Sequence, residues 1–312
     1  MTRVYQWSFN VQRSITPNLL VDAAYVANSV NHLFVGPPLN FPEPGAVTAN
    51  PALSLQQLRP YYSLDPNLGL VGTELNTGRS HYHSLQFKLE KRLSYGLSFL
   101  TSYTFSKVLN RGSQFRNPDF YLADPAPSGF DTPQRLTFSY IYEFPFGHHK
   151  QFGSNWNRLV DTALGGWSAS GIVVYMTGFP FTPGISSNLD NGNGNVPDRL
   201  CNGRISNWTI ARYYDPSCFV APPLNVFGNT GYGVLRGPGF RNWDLSLKKD
   251  FALGAESRYL QFRAEFFNLP NNVNFGMPNS FQCGGACGEG TITSTAAGSH
   301  PRQIQFALKL YF

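Results

Sequence analysis

The stretch of sequence that decides the fold is the last one, "RQIQFALKLYF", Arg302–Phe312. Apolar residues alternate in it with polar or small ones, and alternation places the two sets on opposite faces of a β-strand. The apolar set consists of Ile304, Phe306, Leu308, Leu310 and Phe312. The stretch has eleven residues. A tilted strand that crosses a bilayer needs about 9–11, whereas strands of soluble proteins average about 5–6. The last strand therefore has the length and pattern of a membrane-spanning strand.

The same pattern recurs along the whole chain. It is present at 4–15, 19–28, 83–92, 97–106, 135–144, 167–176, 242–251 and 259–268, and it is weaker in the second and sixth of these segments. One face of the segments is rich in Phe, Tyr and Trp, and the other carries Glu, Lys, Arg, Asp and Gln. An apolar band with aromatic girdles outside and a polar lumen inside is typical of transmembrane β-barrels. We therefore predict an all-β fold: residues 1–312 form one antiparallel transmembrane β-barrel segment, with about 10–12 strands of a larger barrel.

The lengths of the connections between these segments alternate. Short turns lie at 16–18, 94–96 and 252–257, long loops lie at 29–79, 108–134, 178–240 and 269–301, and 145–166 is intermediate. Outer-membrane barrels have short periplasmic turns and long extracellular loops. The alternation therefore predicts that the long loops are extracellular and that the carboxyl terminus is periplasmic. It also predicts outer-membrane lipid as the surroundings of the wall.

The charge of the chain does not indicate a nucleic-acid partner. The formal net charge is +6, but the basic residues are dispersed along the predicted lumen faces and turns, with no cluster in the sequence. Nucleic-acid binding proteins concentrate basic residues in a patch or stripe. No cofactor-binding motif is present in the sequence either.

All four cysteines fall in the predicted extracellular loops. Cys201 and Cys218 share the longest loop, and Cys283 and Cys287 occur in "CGGAC". An even number of cysteines that face an oxidising exterior indicates local disulfides, Cys201–Cys218 and Cys283–Cys287. A metal site is the alternative, but no histidine is near them in the sequence.

Two other stretches contain residue types that bind metals. The segment "NLDNGNGNVPDR", Asn188–Arg199, offers calcium ligands but lacks the terminal glutamate of a calcium loop, so a solvated loop is the alternative. Its candidate ligands are Asp190, Asn191, Asn193, Asn195 and Asp198. His81 and His83 are two residues apart on one predicted strand face, a spacing that suits either a metal or a rim position.

The sequence offers little for catalysis. It contains neither a G-x-S-x-G motif nor a phosphate-binding glycine-rich loop. A barrel hydrolase would need a Ser/His pair at the wall, and the candidates are Ser80 or Ser84 with His81 or His83. We therefore predict that the chain is not an enzyme. The loop tyrosines either stack on a ligand or pack the loops together; they are Tyr61, Tyr62, Tyr213 and Tyr214.

Several phrases resemble one family of outer-membrane receptors. "GPGFRNWDLSLKKDF" (237–251), "LQFRAEFFNLPNNVNFGMPN" (260–279) and "PRQIQFALKLYF" (301–312) resemble the end of TonB-dependent receptors of the Oar-like type, which have a carboxypeptidase-regulatory-like amino-terminal domain. The phrases at 84–110 and 165–181 are similar to earlier hairpins of the same family. The resemblance implies a 22-stranded barrel around a plug, and the plug contacts TonB in the periplasm.

The chain departs from that family because it opens at Met1 and the alternating pattern begins at Val4. We therefore expect the carboxyl-terminal part of a longer receptor. Its signal peptide, plug and further strands would lie outside this sequence, and TonB would act only through that plug. A complete small barrel is the structural alternative. The terminal residues Phe306, Leu308, Leu310 and Phe312 resemble the signal that the barrel assembly machinery recognises.

The sequence predicts the outer membrane of a Gram-negative-type bacterium as the location. Three functions remain open: binding and uptake of an unidentified ligand, a structural or adhesion barrel that works through its loops, and the less favoured barrel hydrolase. The resemblance favours uptake.

Overall fold

The computed structural model of the chain describes residues 1–36, 39–112, 125–148, 150–253, 255–282 and 287–312, of which 255–257 are described by their backbone alone. The strands are β1 Arg3–Thr16, β2 Leu19–Val35, β3 Leu75–Ser94, β4 Leu97–Arg111, β5 Ala126–Pro127, β6 Gln134–Glu143, β7 Trp167–Met176, β8 Pro180–Phe181, β9 Gly184–Ile185, β10 Asp198–Arg199, β11 Arg204–Thr209, β12 Arg212–Tyr214, β13 Phe219–Val220, β14 Leu235–Arg236, β15 Phe240–Leu253, β16 Ala255–Phe267, β17 Phe281–Gln282 and β18 Gln303–Tyr311. The helices are α1 Ala46–Ala49, α2 Arg158–Leu164 and the 3-10 helix Pro216–Cys218. None of the helices in these ranges has the length and apolar character needed to cross a membrane.

One ten-stranded sheet makes up the wall. Its order is β1-β2-β3-β4-β6-β7-β15-β16-β18, every neighbouring pair is antiparallel, and the short β5 pairs with β4. Within the described residues, the sheet is open, because β1 pairs only with β2 and β18 only with β16. The predicted antiparallel barrel segment of about ten strands is therefore confirmed.

The register of the strands brings the apolar rows together on one face. Phe306 of the last strand lies opposite Ala264, and Leu308 lies opposite Phe262. At the other edge, Phe9 lies opposite Tyr25, which lies opposite Leu85. Residues directly opposite each other share a face, so the apolar rows predicted on separate strands form one continuous outward surface. We call this surface the outward face and the other the lumen face.

Most wall strands are longer than the alternation predicted, β2 and β3 by the most. β2 has 17 residues and β3 has 20, whereas about 9–11 are enough to cross a bilayer. The first long loop therefore begins at residue 36 and ends at 74, rather than spanning 29–79. The extra residues extend the wall on the side of the long loops.

The short turn between β3 and β4 depends on one glycine. Tyr95 and Gly96 have φ values of 50° and 75°, and positive φ at both central residues is the requirement of the two-residue hairpin turn that matches strand twist. A Cβ at Gly96 would lie 2.8 Å from the carbonyl oxygen of Glu143. The neighbouring strand therefore approaches the turn too closely for any other residue.

A buried lysine joins the wall to the intermediate connection on the periplasmic side. Lys249 is 3 % exposed, although its strand position places it on the outward face opposite Trp167. Its ammonium group donates to the carbonyl of Gly165, next to the end of α2, and lies 5.6 Å from the ring centroid of Trp167. A cation is favourable at a helix carboxyl terminus, so this contact fixes α2 against the base of the wall.

The extracellular loops form a packed layer with its own core. Four two-stranded ladders lie in it: β8–β14, β9–β17, β10–β13 and β11–β12. Its buried cluster consists of Tyr214, Cys218, Phe219 and Leu235. The buried apolar residues of the wall strands are mostly alanines, namely Ala27, Ala169 and Ala264. Most large apolar side chains of the wall face outward, and the loops carry the packed interior.

Candidate functional site

The lumen face carries the charged residues that the alternation assigned to it. Lys88 lies 2.9 Å from Glu90, and Lys248 lies 3.1 Å from Asp250. These pairs are partly exposed, so they contribute little to stability. Their effect is on the lumen itself, which they make polar and hydrated.

A cavity of about 630 Å³ opens on the lumen face at its extracellular end. Its wall comes from β2, β3, β4 and β6, and its roof comes from Phe130 and Thr132 in the loop before β6. The remaining lining residues are Asn28, Val30, Ser80, Tyr82, Gln86, Thr104, Ser106, Val108 and Arg135. The volume lies within the range of small-molecule sites, about 300–1,000 Å³. We call this cavity the lumen entrance.

Arg135 gives the lumen entrance its charge. It is exposed and lies opposite Thr104, and it is the only charged side chain among the described residues that line the cavity. Amide and hydroxyl groups of Asn28, Gln86 and Thr104 surround the same space. A guanidinium beside neutral hydrogen-bonding groups suits a ligand with an anionic group and several polar groups.

A second cavity of about 640 Å³ lies lower on the lumen face. Ser98, Ser139, Ser170 and Ser246 line it from four neighbouring strands. Carboxylates lie at its edges: Asp244, Glu265 and Glu90. Lys91 and Arg92 line it as well, so the lower cavity contains both acidic and basic side chains.

A buried ion pair holds the roof of the lumen entrance. Asp131 is 0 % exposed, and its carboxylate accepts hydrogen bonds from Arg236 and from the backbone N–H of Val108, the latter at 2.7 Å. Arg236 also donates to the carbonyl oxygen of Gly178 at 3.2 Å. These contacts therefore join β4 and two extracellular loops that are far apart in the sequence, and they position Phe130 and Thr132 over the cavity.

The predicted calcium ligands lie in the loop layer, where their side chains form hydrogen bonds that join the loops. The Asp190 carboxylate accepts from the backbone N–H of Gly45 at 2.8 Å and of Thr48 at 2.7 Å, at the start of α1. Burial raises the pKa of this carboxyl, but the hydrogen bonds from Thr48 and Gly45 outweigh it and lower the pKa below its ordinary value. The side-chain oxygens of Asn191, Asn193, Asn195 and Asp198 accept from backbone N–H groups of the loops. The described residues contain no group of three or more His, Cys, Asp or Glu side chains that could hold a metal.

The cysteines and tyrosines of the loops also lie in this layer. Cys201 and Cys218 form a disulfide with a Cα–Cα distance of 4.9 Å. Cys283 lies outside the described residues, so its pairing with Cys287 stays a prediction. Tyr213 donates to the carbonyl of Arg236 at 3.0 Å, and Tyr214 donates to that of Asn279 at 3.3 Å. These two tyrosines pack the loops together.

An alkaline titration tests this burial. Burial raises the pKa of Tyr213 to about 12, and burial with the nearby charge of Glu289 raises that of Tyr214 to about 12, whereas an unperturbed tyrosine has a pKa of about 10. The folded protein therefore holds more protons than the unfolded chain between these pH values, so stability is retained below about pH 10 and falls as the pH rises through about 12. We expect late-titrating tyrosinate absorbance that decreases by one residue in Tyr213→Phe and in Tyr214→Phe. Unchanged late absorbance in both variants would contradict it.

The candidate Ser/His pairs are separated by the wall. Ser80 and Ser84 lie on the lumen face, whereas His81 and His83 lie on the outward face, because successive side chains of β3 point to opposite sides. The Ser84 hydroxyl donates to the carbonyl of Val26 at 3.1 Å. His83 Nδ1 lies 2.7 Å from the Tyr25 hydroxyl. The predicted hydrolase alternative is wrong for these pairs, since serine and histidine do not meet.

Comparisons with known proteins gave a family match and distant structural similarities. The model of the family described as "Outer membrane beta barrel domain" matches residues 1–305. Among solved structures, the outer membrane transporter YddB from Escherichia coli is similar at 10% identity and TM-score 0.46, over 99% of this chain and 32% of that one. The copper transporter OprC is similar at 10% identity and TM-score 0.42, over 99% and 31%. The chain thus spans about a third of the length of these transporters. No curated protein matches the sequence.

Proposed function

The chain belongs to the outer membrane β-barrel domain family, and on that basis we propose that it forms part of the wall of a transporter that takes up a polar, anionic ligand across the outer membrane. The observation that supports uptake best is the lumen entrance, a cavity of about 630 Å³ between the lumen face and the loop layer. A ligand that binds there has already passed the loops and faces the lumen. Arg135 would bind its anionic group.

The lower cavity supports a path beyond the entrance. Its serine hydroxyls offer exchangeable hydrogen bonds to a ligand that has left Arg135. A ligand held by one cation at the top and by exchangeable hydrogen bonds below can both bind and leave. A polar path below the entrance favours uptake over simple retention.

The whole protein, in this proposal, is a TonB-dependent receptor of the Oar-like type. The support is the resemblance of the sequence phrases at 237–251, 260–279 and 301–312. On this basis residues 1–312 form one barrel segment that encloses a plug together with further strands. TonB would act through that plug. The wall residues would bind the ligand and would not contact TonB.

We further propose that the last strand is the insertion signal read by the barrel assembly machinery. Phe306, Leu308 and Leu310 lie on the outward face of β18 and are exposed, as is Phe312 after it. An exposed apolar row beside an edge strand can pair with another protein by strand addition. The proposal for this strand is independent of the ligand.

Uptake by whole cells tests the proposal. Cells that produce the full-length protein are given radiolabelled oligosaccharides that carry carboxylate or phosphate groups, together with neutral oligosaccharides of equal size. We expect faster uptake of an anionic oligosaccharide than in cells without the protein, and loss of that uptake with a protonophore. Arg135→Gln should weaken binding of the anionic oligosaccharide about tenfold, because charge-assisted hydrogen bonds contribute about 1.5–3 kcal/mol. Lys309→Gln, on the lumen face at the periplasmic end, is the matched control.

The alternative functions give different results. Surface binding without internalisation, insensitive to the protonophore, would favour the adhesion barrel. Preferential uptake of the neutral oligosaccharides, unchanged in Arg135→Gln, would contradict the lumen entrance as the binding site.

A further inference from the structure

The connection between β6 and β7 is held against the outward face of the wall. Lys249 occupies an outward position opposite Trp167, and its ammonium group donates to the carbonyl oxygen of Gly165. The indole N–H of Trp167 donates to the carbonyl oxygen of Ala163 at 3.0 Å. Both donors belong to the outward face, so α2 lies on the side of the wall that faces lipid. It lies at the end of the strands that carries the short turns, which is the periplasmic end.

The helix α2 exposes its apolar side. Successive residues of a helix are about 100° apart around its axis, which divides α2 into two sides. The apolar side consists of Leu159, Val160, Ala163 and Leu164, and the polar side consists of Arg158, Asp161 and Thr162. An amphipathic helix of a water-soluble protein turns its apolar side towards the core. In α2 no residue is buried, and Leu159 and Leu164 are 83% and 58% exposed.

The polar side of α2 is the one that contacts the protein. The Asp161 carboxylate accepts a hydrogen bond from the backbone N–H of His148 at 2.6 Å. The side chain of Asn157 caps the helix by accepting from the N–H of Val160 at 2.9 Å. The helix is therefore fixed in an orientation that turns its leucines away from the rest of the chain.

The remainder of the connection also exposes large apolar side chains. The rings of Phe146 and Phe152 are exposed, with their centroids 5.8 Å apart. The backbone N–H of Phe152 donates to the carbonyl oxygen of Pro145 at 2.9 Å, and that of Gly147 donates to the carbonyl oxygen of Phe152 at 2.8 Å. These two aromatic side chains are thus carried by a hydrogen-bonded backbone, as the leucines of α2 are.

Acyl chains are the partner that fits this surface, because it continues the apolar rows of the wall. The ring of Trp167, which holds α2, lies 6.0 Å from that of Phe262, and Phe262 stacks on Phe306 at 6.2 Å. Interfacial helices place their apolar side among acyl chains and their basic residues among headgroups. Arg158 is exposed on the polar side of α2, where it suits a phosphate group.

We propose that this connection anchors the wall in the periplasmic leaflet of the outer membrane by inserting five exposed apolar side chains among phospholipid acyl chains. We call these residues the periplasmic anchor: Phe146, Phe152, Leu159, Val160 and Leu164. Arg158 lies at the level of the phosphate groups. Lys249 and Trp167 join the anchor to β15 and β7, so it fixes the depth of these strands in the membrane. The anchor does not depend on the transported ligand.

Spin labels on the full-length protein test the anchor in bilayers of phosphatidylethanolamine and phosphatidylglycerol. The labels are attached after Leu159→Cys, Leu164→Cys or Thr162→Cys, and the unsubstituted protein gives the background from its own cysteines. Collisions with oxygen, which enters lipid, and with a water-soluble nickel chelate measure the depth of each label. Labels at 159 and 164 are expected about 5–10 Å into the boundary between headgroups and acyl chains. The label at 162 is expected among the hydrated headgroups.

An equally apolar position in the loop layer provides the matched control. Leu224 is also largely exposed, but it lies in the extracellular connection between β13 and β14. A label attached after Leu224→Cys should collide mainly with the nickel chelate. This result would show that an exposed leucine alone does not place a label in lipid.

Two results with the labels would overturn the proposal. Nickel-chelate collisions as frequent at 159 and 164 as at 224 would mean that α2 lies in water. Few collisions with either reagent would mean that another protein, and not lipid, covers the helix.

A photoreactive phospholipid tests the unsubstituted protein, so the proposal can be decided even if the cysteine variants do not fold. Its carbene precursor is placed in the acyl chain, and mass spectrometry locates the adducts. Adducts within residues 151–166 are expected together with adducts on the outward face of β18. Adducts on β18 without any at 151–166 would overturn the proposal.

Discussion

Replacing Phe306 by arginine is expected to lower the free energy of unfolding of the lipid-embedded protein by about 2–4 kcal/mol, the cost of an outward cation near the middle of the membrane. Phe306 is 68% exposed on the outward face of β18, and its ring stacks on that of Phe262 at 6.2 Å. Arginine at this position has neither water nor a lumen-face partner. Reversible denaturant unfolding in lipid bilayers measures the effect.

The matched control lies one residue away. Gln305→Arg places the same side chain on the lumen face, opposite Glu265, and should change the free energy of unfolding far less. Equal losses of unfolding free energy in Phe306→Arg and Gln305→Arg would mean that β18 does not have one face towards lipid.

Replacing Asp131 by alanine is expected to cost about 3–5 kcal/mol, because it leaves the Arg236 charge in the loop layer without its carboxylate. Asp131 is fully buried, and its loss also removes the acceptor for the N–H of Val108. The roof of the lumen entrance should loosen with it. Denaturant unfolding gives the stability, and hydrogen exchange at residues 125–133 gives the loosening.

An exposed ion pair provides the control for this substitution. Lys150 and Glu143 are 2.9 Å apart, with their side chains 39% and 42% exposed. Lys150→Gln should change stability by only about 0–1 kcal/mol. If Asp131→Ala changed the free energy of unfolding by a similarly small amount, Arg236 would not depend on the Asp131 carboxylate. The ion pair would then not hold the roof of the lumen entrance.

The sequence was sufficient to predict the wall because its signals are local. Alternation over eleven residues in Arg302–Phe312 fixes which side chains share a face, and the lengths of successive connections fix which ends of the strands carry the loops. The ends of β2 and β3 were predicted too short, because the strands continue beyond the lipid-facing segment. In those strand ends neither face contacts lipid, so polar and apolar residues no longer alternate regularly.

The candidate site depends on contacts between distant residues. Asp131 and Arg236 are 105 positions apart, and neither belongs to a periodic pattern. Register has the same effect on the outward face, because Arg3, Arg79 and Arg111 come into one row only when β1 to β4 are aligned residue by residue. Residue type and alternation do not specify that alignment, so both features required the structure.

The packed interior of the protein lies in the loop layer, while the wall presents its large side chains to lipid, and this division bears on how the sequence can diverge. Fluid acyl chains adapt to an apolar side chain of any shape, so Leu308 or Phe87 can be exchanged for another apolar residue while the fold persists. Tyr214 and Leu235 are 1% and 2% exposed in a close-packed cluster, where shape matters to within a methylene group. Among relatives of this chain, substitutions should therefore accumulate faster in the apolar rows of the outward face than in the buried cluster of the loop layer. This is the reverse of the usual contrast between a constant framework and variable loops.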